Sequence, residues 1–169
     1  MRNLKRALSL ALASVMVMGL MVVGTGASYV DVSSEQNQEA IEVLQAVGVM
    51  TGDENGNFNP DANVTRNEMA VVMSNLLDYR VANYKGTSPF TDVQETSPYY
   101  DAILWAAETG VTNGTTASTF SPDAPCTRAQ LAVFLWRAAG EPKPALAEQQ
   151  FMDVTDPSAY YYGAVQWAA

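Results

Sequence analysis

Two short segments of the sequence combine a helix-capping pattern with an arginine. Thr65-Arg66-Asn67-Glu68 and Thr127-Arg128-Ala129-Gln130 both match Ser/Thr-x-x-Glu/Gln, the capping box that precedes an apolar helical run. Capping accounts for the threonines and for Glu68 and Gln130, but it asks for no arginine at the first helical position, where the helix dipole disfavours a cation. A guanidinium beside free helix N–H groups would bind an anion, with a geometry suited to carboxylate or phosphate.

An alternative role for each arginine is an ion pair with a nearby aspartate. Asp31, Asp92 and Asp153 each occupy the third position of an aromatic-x-Asp-Val tetrapeptide that recurs at constant spacing. From the residues alone, the anion site and the ion pair stay equally open. For the aspartates themselves we favour a turn or helix-capping role over a role as acceptors of sugar hydroxyls or as partners that orient the arginines.

Several other kinds of chemistry are disfavoured by composition. The chain has no His and one Cys, which excludes His metal ligands, a Ser-His-Asp triad and an intrachain disulfide. A net charge of −9 argues against nucleic-acid binding. The run Asp53–Asn57 lacks the spacing of a calcium loop, so we predict a turn and no metal site. No carboxylate stands out as half of a catalytic pair, and no cofactor is expected.

The elements that must position these residues are organised by an internal repeat. Beyond the tetrapeptides, Phe58-Asn59-Pro60-Asp61 matches Phe120-Ser121-Pro122-Asp123, and Gly48 and Gly52 match Gly110 and Gly114. Each complete unit is predicted to be a helix, a turn-rich loop and a second helix. We expect Phe58 and Phe120 to pin the loops to the core.

The apolar spacing predicts which helical faces are buried. In the first helices, the buried faces are predicted to include Ala40, Ile41, Leu44 and Val47 in one unit and Ala102, Ile103, Ala106 and Ala107 in the other. The second helices are predicted to begin near Thr65 and Thr127. We favour a core position over a sugar platform for Trp105 and Trp167. Cys126 is interpreted as a half-buried apolar residue rather than a reactive thiol.

The ends of the chain suggest export and an unfinished repeat. Residues 1–27 begin with basic residues, continue with an apolar run and close with small residues, which is typical of a secretory signal peptide. We favour cleavage near Ala27 over retention of the segment as a membrane anchor. The repeats are assigned to 28–80 and 89–140, with the start of a third at 150–169. Because the third unit stops within its first helix, we expect the chain to be the front of a longer protein or a truncated product.

These residues together resemble the S-layer homology domain of bacterial surface proteins. The resemblance rests on the Phe-x-Asp-Val start, Ala-Ile-Leu-Trp-Ala-Ala at 102–107, Gly-Val-Thr-Asn-Gly at 110–114, Thr-Phe-Ser-Pro-Asp at 119–123 and Thr-Arg-Ala-Gln at 127–130. It implies a mainly α fold of tandem helix–loop–helix repeats, arranged in a pseudo-threefold spindle that is incomplete here. It also implies grooves that bind a secondary cell-wall polysaccharide, often one bearing a pyruvate ketal.

By position, the resemblance assigns the main ligand contacts to Arg66 and Arg128. Those implied nearby, more loosely for the glycines and aspartates, are Thr65, Thr127, Glu68, Gln130, Gly52, Gly114, Asp31, Asp92 and Asp153. The function expected is a non-catalytic module, secreted and held at the bacterial cell wall, whose partner is the polysaccharide and not nucleic acid or, after cleavage, membrane. The alternatives are a surface-lattice subunit that contacts other S-layer subunits, and the anchoring front part of a secreted polysaccharide-active enzyme.

Overall fold

The computed structural model of the protein describes residues 29–32, 35–77, 81, 84, 86–144 and 151–169. The signal peptide predicted for 1–27 lies outside the described residues, as do parts of the predicted linkers 80–89 and 140–150. Within the described ranges the regular elements are helices, joined by loops and one isolated antiparallel bridge between Thr65 and Pro125. The helices are α1 Glu35–Ala46, α2 Arg66–Leu76, α3 Tyr100–Glu108, α4 Arg128–Ala138 and α5 Tyr162–Ala168. The prediction of a mainly α fold is confirmed, and the spindle stays a prediction.

The helix boundaries follow local sequence signals. Helices α2 and α4 begin directly after Thr65 and Thr127, so Arg66 and Arg128 are the first helical residues, as predicted. After α1 and α3 the chain turns at Gly48 and Gly110, with φ of 70° and 76°. This left-handed conformation carries little penalty for glycine, which explains why both helices stop there.

The chain divides into two compact units that do not coincide with the sequence repeats. Unit 1 contains the described residues up to Ala62 together with Asn75–Leu77, and unit 2 contains Asn63–Ser74 and the described residues from 81 onward. The first two turns of α2 therefore belong to the same unit as the second repeat. The capping segment of one repeat is thus placed among the residues of the next.

The buried face predicted for α1 is only partly correct. Ile41 is buried and Leu44 is half-buried, but Ala40 is exposed. Val47 is 41% exposed because it follows the end of the helix, in the turn at Gly48, and Val49 is buried instead. The apolar spacing therefore predicts a helix that is one residue longer than the one observed.

Unit 2 has a dense core that fixes α3, the first two turns of α2 and the loop at residues 112–126, which we call the second loop. Its largest fully buried side chains are Trp105, Phe120, Met73, Ile103 and Leu104. The core position favoured for Trp105 is confirmed, whereas Trp167 on α5 is half-buried. In the same unit, α4 packs against α5.

Candidate ligand-binding clefts

An aromatic pair holds each repeat loop in the same way. The rings of Tyr29 and Phe58 lie 5.3 Å apart in unit 1, and those of Phe90 and Phe120 lie 5.6 Å apart in unit 2. A side chain at Gly114 would collide with both the Phe90 ring and the carbonyl oxygens of the loop, and Gly52 is crowded similarly by Tyr29. The two glycines are therefore required by the close approach of the aromatic residue.

The aspartates of the repeated tetrapeptides fix the same loops. Asp92 accepts hydrogen bonds from the backbone N–H groups of Phe120 (2.8 Å) and Ser121 (2.7 Å). Asp31 accepts from the equivalent N–H groups of Phe58 and Asn59, at 2.9 and 2.6 Å. These contacts join segments far apart in sequence, so neither aspartate caps a helix. Both lie in turns, as the other half of the prediction expects.

Electrostatics agree with this clamping role. Desolvation alone would raise the pKa of Asp92, but the N–H groups of Phe120 and Ser121, and the nearby charge of Arg66, outweigh it and leave the pKa below its ordinary value. The ionised form is therefore the one that holds the loop.

A cavity of about 420 Å³ lies in unit 2 between the start of α2, the second loop and α4; we call it the Arg66 cleft. Of the sequence-predicted residues, it brings together Arg66, Gly114 and Gln130. The other lining residues are Val111, Thr112, Asn113, Thr115, Val133, Phe134, Arg137 and Tyr160. None of these lining residues is acidic, although the chain as a whole carries twice as many acidic as basic residues.

Arg66 is the most deeply placed cation of this cleft. It is 3% exposed, its Nε donates to the carbonyl oxygen of Phe120 at 2.7 Å, and its guanidinium carbon lies 4.7 Å from the Phe120 ring centroid and 5.7 Å from that of Phe134. The hydrogen bond and the two rings fix the position of the guanidinium group. Burial lowers the pKa of Arg66 from its ordinary value, but a guanidinium stays charged under physiological conditions.

The guanidinium of Arg66 has no ionic partner among the described residues. No carboxylate lies within 4 Å of it, and Asp92, the candidate for an ion pair, is occupied by the loop backbone. Its Nη2 atom is buried and has no hydrogen-bond partner among the described residues. Arg66 therefore forms no direct ion pair, and Asp92 acts on its charge only at longer range. It is a buried cation with unused donor capacity beside a cavity.

The start of α2 does not offer the free N–H groups that the anion-site prediction assumed. The N–H groups of Arg66 and Asn67 donate to the carbonyl oxygens of Ala124 and Pro122, each at 3.0 Å. The next N–H group, that of Glu68, donates to the side-chain oxygen of Asn67 at 2.7 Å. An anion in this cleft would depend on side chains rather than on the helix terminus.

The two predicted capping boxes differ in detail. In α4 the box is complete: Gln130 N–H donates to the Thr127 hydroxyl at 3.2 Å, and Thr127 N–H donates to Gln130 Oε1 at 3.0 Å. In α2 only the second half forms, since Thr65 N–H donates to Glu68 Oε2 at 2.8 Å. The Thr65 hydroxyl has one proton, for which the side-chain oxygens of Glu68 and Asn67 are both within reach. Asn67 replaces the threonine as acceptor for the Glu68 N–H group.

A second cavity of about 650 Å³ surrounds the start of α4; we call it the Arg128 cleft. It contains three sequence-predicted residues, Thr127, Arg128 and Asp153, with lining from α4, α5 and the third tetrapeptide. Arg128 is exposed, and no described residue accepts a hydrogen bond from its backbone N–H group. The remaining predicted residues line neither cleft; they are Thr65, Glu68, Gly52, Asp31 and Asp92.

Among the residues of the Arg66 cleft that sequence reasoning missed are Arg137 and Tyr160. Arg137 follows Gln130 by two helical turns, and this i, i+7 spacing would have placed it on the same face of α4. Tyr160 comes from the third repeat, at a position where the second repeat has Pro98, so repeat matching gave no signal for it.

The remaining features have structural roles. Cys126 is half-buried, and burial raises the pKa of its thiol, as expected for a packing residue. Asp53 accepts from the N–H groups of Asn55 and Asn57, which confirms the predicted turn.

Across the described ranges, no cluster of three or more potential ligands could hold a metal ion, and no helix is long and apolar enough to cross a membrane.

Comparison with known proteins identifies the repeat. The profile of the S-layer homology domain matches residues 28–70 and 89–132, just over half of the chain. The chain belongs to the S-layer homology domain family. This confirms the resemblance inferred from the motifs.

Relatives within this family are named as surface proteins. The chain is 38% identical over 98 residues to the "Surface-layer 125 kDa protein" of Lysinibacillus sphaericus, covering 58% of this chain and 8% of that protein. It is 30% identical over 113 residues to "Cell surface glycoprotein 1" of Acetivibrio thermocellus, covering 64% of this chain and 5% of that protein. The chain thus spans less than a tenth of either relative. The family and these relatives indicate an exported protein of the bacterial cell wall or surface layer.

Proposed function

We propose that this S-layer homology protein is a non-catalytic module that tethers its polypeptide to the bacterial cell wall by binding an anionic polysaccharide in the Arg66 cleft. The anionic group that fits best is a carboxylate, such as that of a pyruvate ketal on a sugar residue. The observation that carries this proposal is the buried guanidinium of Arg66, which borders a cavity without acidic lining and lacks an ionic partner among the described residues.

The energetics of a buried cation support an anionic ligand. A charge removed from water without a partner is destabilising by several kcal/mol, in order of magnitude. The Phe120 carbonyl and the two aromatic rings offset part of this penalty for Arg66. A carboxylate in the cavity would supply the missing charge, and its hydrogen bond with a guanidinium would be of the strong, charge-assisted kind.

The rest of the lining suits a sugar residue. The Gln130 side-chain oxygen is used by Thr127 N–H, which leaves its amide hydrogens available to the cleft. Tyr160 is 60% exposed at the cleft, and Val133 and Phe134 add apolar surface. A few polar groups on a mostly apolar, concave surface are typical of small-ligand sites.

The Arg128 cleft supports a second, weaker site of the same kind. Arg128 lies there on the first turn of α4, beside its own unengaged N–H group. However, Asp153 also lines this cleft and opposes a bound anion. We therefore assign the principal binding to Arg66.

Two alternatives remain, of which only the first differs from tethering in the role of this chain. A surface-lattice subunit is favoured by the first relative, whose name describes a surface-layer protein. An anchoring segment of a secreted polysaccharide-active enzyme would use the same cleft, with its catalysis located elsewhere. Assembly of the purified protein in the absence of wall glycan would favour the lattice.

Co-sedimentation with isolated cell-wall sacculi tests the proposal. The protein should pellet with native sacculi and remain in solution when the secondary polysaccharide has been extracted. Arg66→Met should reduce pelleting strongly, while Lys143→Met, which removes an exposed cation outside both clefts, should leave it unchanged. Equal pelleting of Arg66→Met and the unmodified protein, with helical circular dichroism intact, would contradict the assignment.

A further inference from the structure

A second guanidinium group, that of Arg137, lines the Arg66 cleft. Arg137 lies in the last turn of α4, and the four α4 residues that line the cleft follow the i, i+3, i+4, i+7 spacing of one helical face, namely Gln130, Val133, Phe134 and Arg137. Two of the four basic residues within the described ranges therefore share one cavity.

The contacts of Arg137 orient its side chain but neutralise its charge only weakly. Its Nε lies 3.8 Å from Glu141 Oε1, beyond hydrogen-bonding distance, and the two side chains are 20% and 57% exposed. Exposed pairs of this kind contribute little to stability. In the amide orientation that satisfies both of its polar atoms, Asn113 accepts from Arg137 Nη2 at 3.3 Å and donates to the Thr112 carbonyl at 3.1 Å.

The first repeat indicates that the fold does not require an arginine at this position. The residue that corresponds to Arg137 on α2 is Asn75, whose amide nitrogen lies 3.4 Å from the carbonyl oxygen of Val49. A neutral side chain thus occupies the equivalent place in an equivalent helix. The cation of the second repeat is an addition to the shared scaffold.

We propose that Arg137 is a second anion-binding residue of the Arg66 cleft, and that Glu141 is the carboxylate that it exchanges for the anionic group of the ligand. This inference rests on the proposed function and deepens it. Glu141 is only four residues from Arg137, so its charge stays near the cleft after the exchange. The side chains of Arg66, Arg137 and Glu141 then carry one net positive charge, which matches a monoanionic carboxylate better than a dianionic phosphate ester. Glu141 affects the ligand only through Arg137, so it is a positioning residue and not a binding residue.

A double-mutant cycle tests the inference by calorimetry on the purified protein. The probes are a methyl hexoside bearing a pyruvate ketal, the same hexoside without it, and the corresponding hexose 6-phosphate. Arg137→Gln should weaken binding of the ketal about 5- to 20-fold and leave binding of the neutral hexoside unchanged. Glu141→Gln should strengthen binding of the ketal about 2- to 4-fold, and of the phosphate by more. Lys143→Gln is the matched control for loss of one surface charge.

The cycle separates a binding role from a structural one. If Glu141 acts through Arg137, Glu141→Gln should have no effect in the Arg137→Gln background. An undiminished effect there, or equal weakening of all three probes by Arg137→Gln, would overturn the inference. If Arg66→Met abolishes ketal binding but Arg137→Gln leaves it unchanged, the inference fails and the proposed function stands.

A second measurement tests anion binding by Arg137 independently of whether the cleft binds the pyruvate-ketal sugar. Titration with inorganic phosphate, followed by the Nε–Hε NMR signal of Arg137, should show a saturable shift that is larger in Glu141→Gln. Failure of the ketal to bind any better than the neutral hexoside would contradict the proposed function, whereas the phosphate shift would still support anion binding by Arg137. Absence of the shift would overturn the inference.

Discussion

Arg66 and Arg128 occupy the same position of the same motif, yet they have opposite environments. Arg66 is buried beneath Phe120, its side chain and backbone both donating to carbonyl oxygens of the second loop. Arg128 is exposed, and its backbone N–H group has no acceptor among the described residues.

The difference shows that the motif supplies a cation and that the loop of the following repeat decides how the cation is used. Once the loop has docked on the start of α2, the helix N–H groups are consumed and the guanidinium is fixed beside a cavity. At α4, where the described residues include no loop docked on the helix start, Arg128 and Asp153 line a cleft of mixed charge. The proposed binding site is therefore built by two consecutive repeats and not by one motif.

Phe120→Ala should reduce the difference in exposure between Arg66 and Arg128 the most, because it removes the ring that covers Arg66. The side chain is fully buried, and such truncations destabilise by about 3–5 kcal/mol. Urea unfolding should show this loss, and modification of Arg66 by phenylglyoxal should become faster. Phe58→Ala, at a half-buried ring of unit 1, should be less destabilising. A loss below about 1 kcal/mol for Phe120→Ala would mean that the loop is not held by its ring.

Asp92→Asn should loosen the loop that covers Arg66. The amide has one acceptor oxygen in place of two, so one of the two N–H groups loses its partner, and we expect a loss of about 1–2 kcal/mol at neutral pH. Because the pKa of Asp92 is lowered in the folded protein, its contribution is present above the unfolded pKa and is lost as pH falls through the folded value. The stability difference between the two proteins should therefore shrink below about pH 4. A difference independent of pH would contradict the role of the carboxylate.

Thr127→Ala and Thr65→Ala should destabilise the protein to different extents, because the two helix starts are capped differently. The Thr127 hydroxyl accepts from Gln130 N–H, so its loss should be destabilising by about 1 kcal/mol. At α2, Asn67 accepts from the equivalent N–H group, so Thr65→Ala should have a smaller effect. Thermal unfolding of both variants measures the difference, and equal effects would show that Asn67 does not substitute for the threonine.

Arg128→Met should have the smallest effect on stability. The side chain is exposed and has no ion pair among the described residues, so the free energy of unfolding should change by less than about 0.5 kcal/mol. Chemical denaturation provides the test. A loss of more than about 1 kcal/mol would indicate that Arg128 is covered in solution much as Arg66 is.

The sequence predicted the local structure better than the site. Capping residues and Gly110 determine helix ends through nearby backbone groups, so their positions could be inferred from spacing. The clamp of Asp92 on the second loop and the burial of Arg66 depend on segments far apart in the chain, and periodicity does not encode such contacts. For the same reason, the carbonyl groups that occupy the start of α2 were not foreseen.

Calorimetric titration of the purified protein with the pyruvate-ketal hexoside shows whether Arg66 binds the anionic group of the ligand. The protein should bind the ketal in preference to the neutral hexoside, and Arg66→Met should weaken ketal binding by about 10- to 100-fold, as expected for loss of a charge-assisted hydrogen bond. Affinity for the ketal that is unchanged in Arg66→Met, or equal affinity of the unmodified protein for both hexosides, would contradict the account.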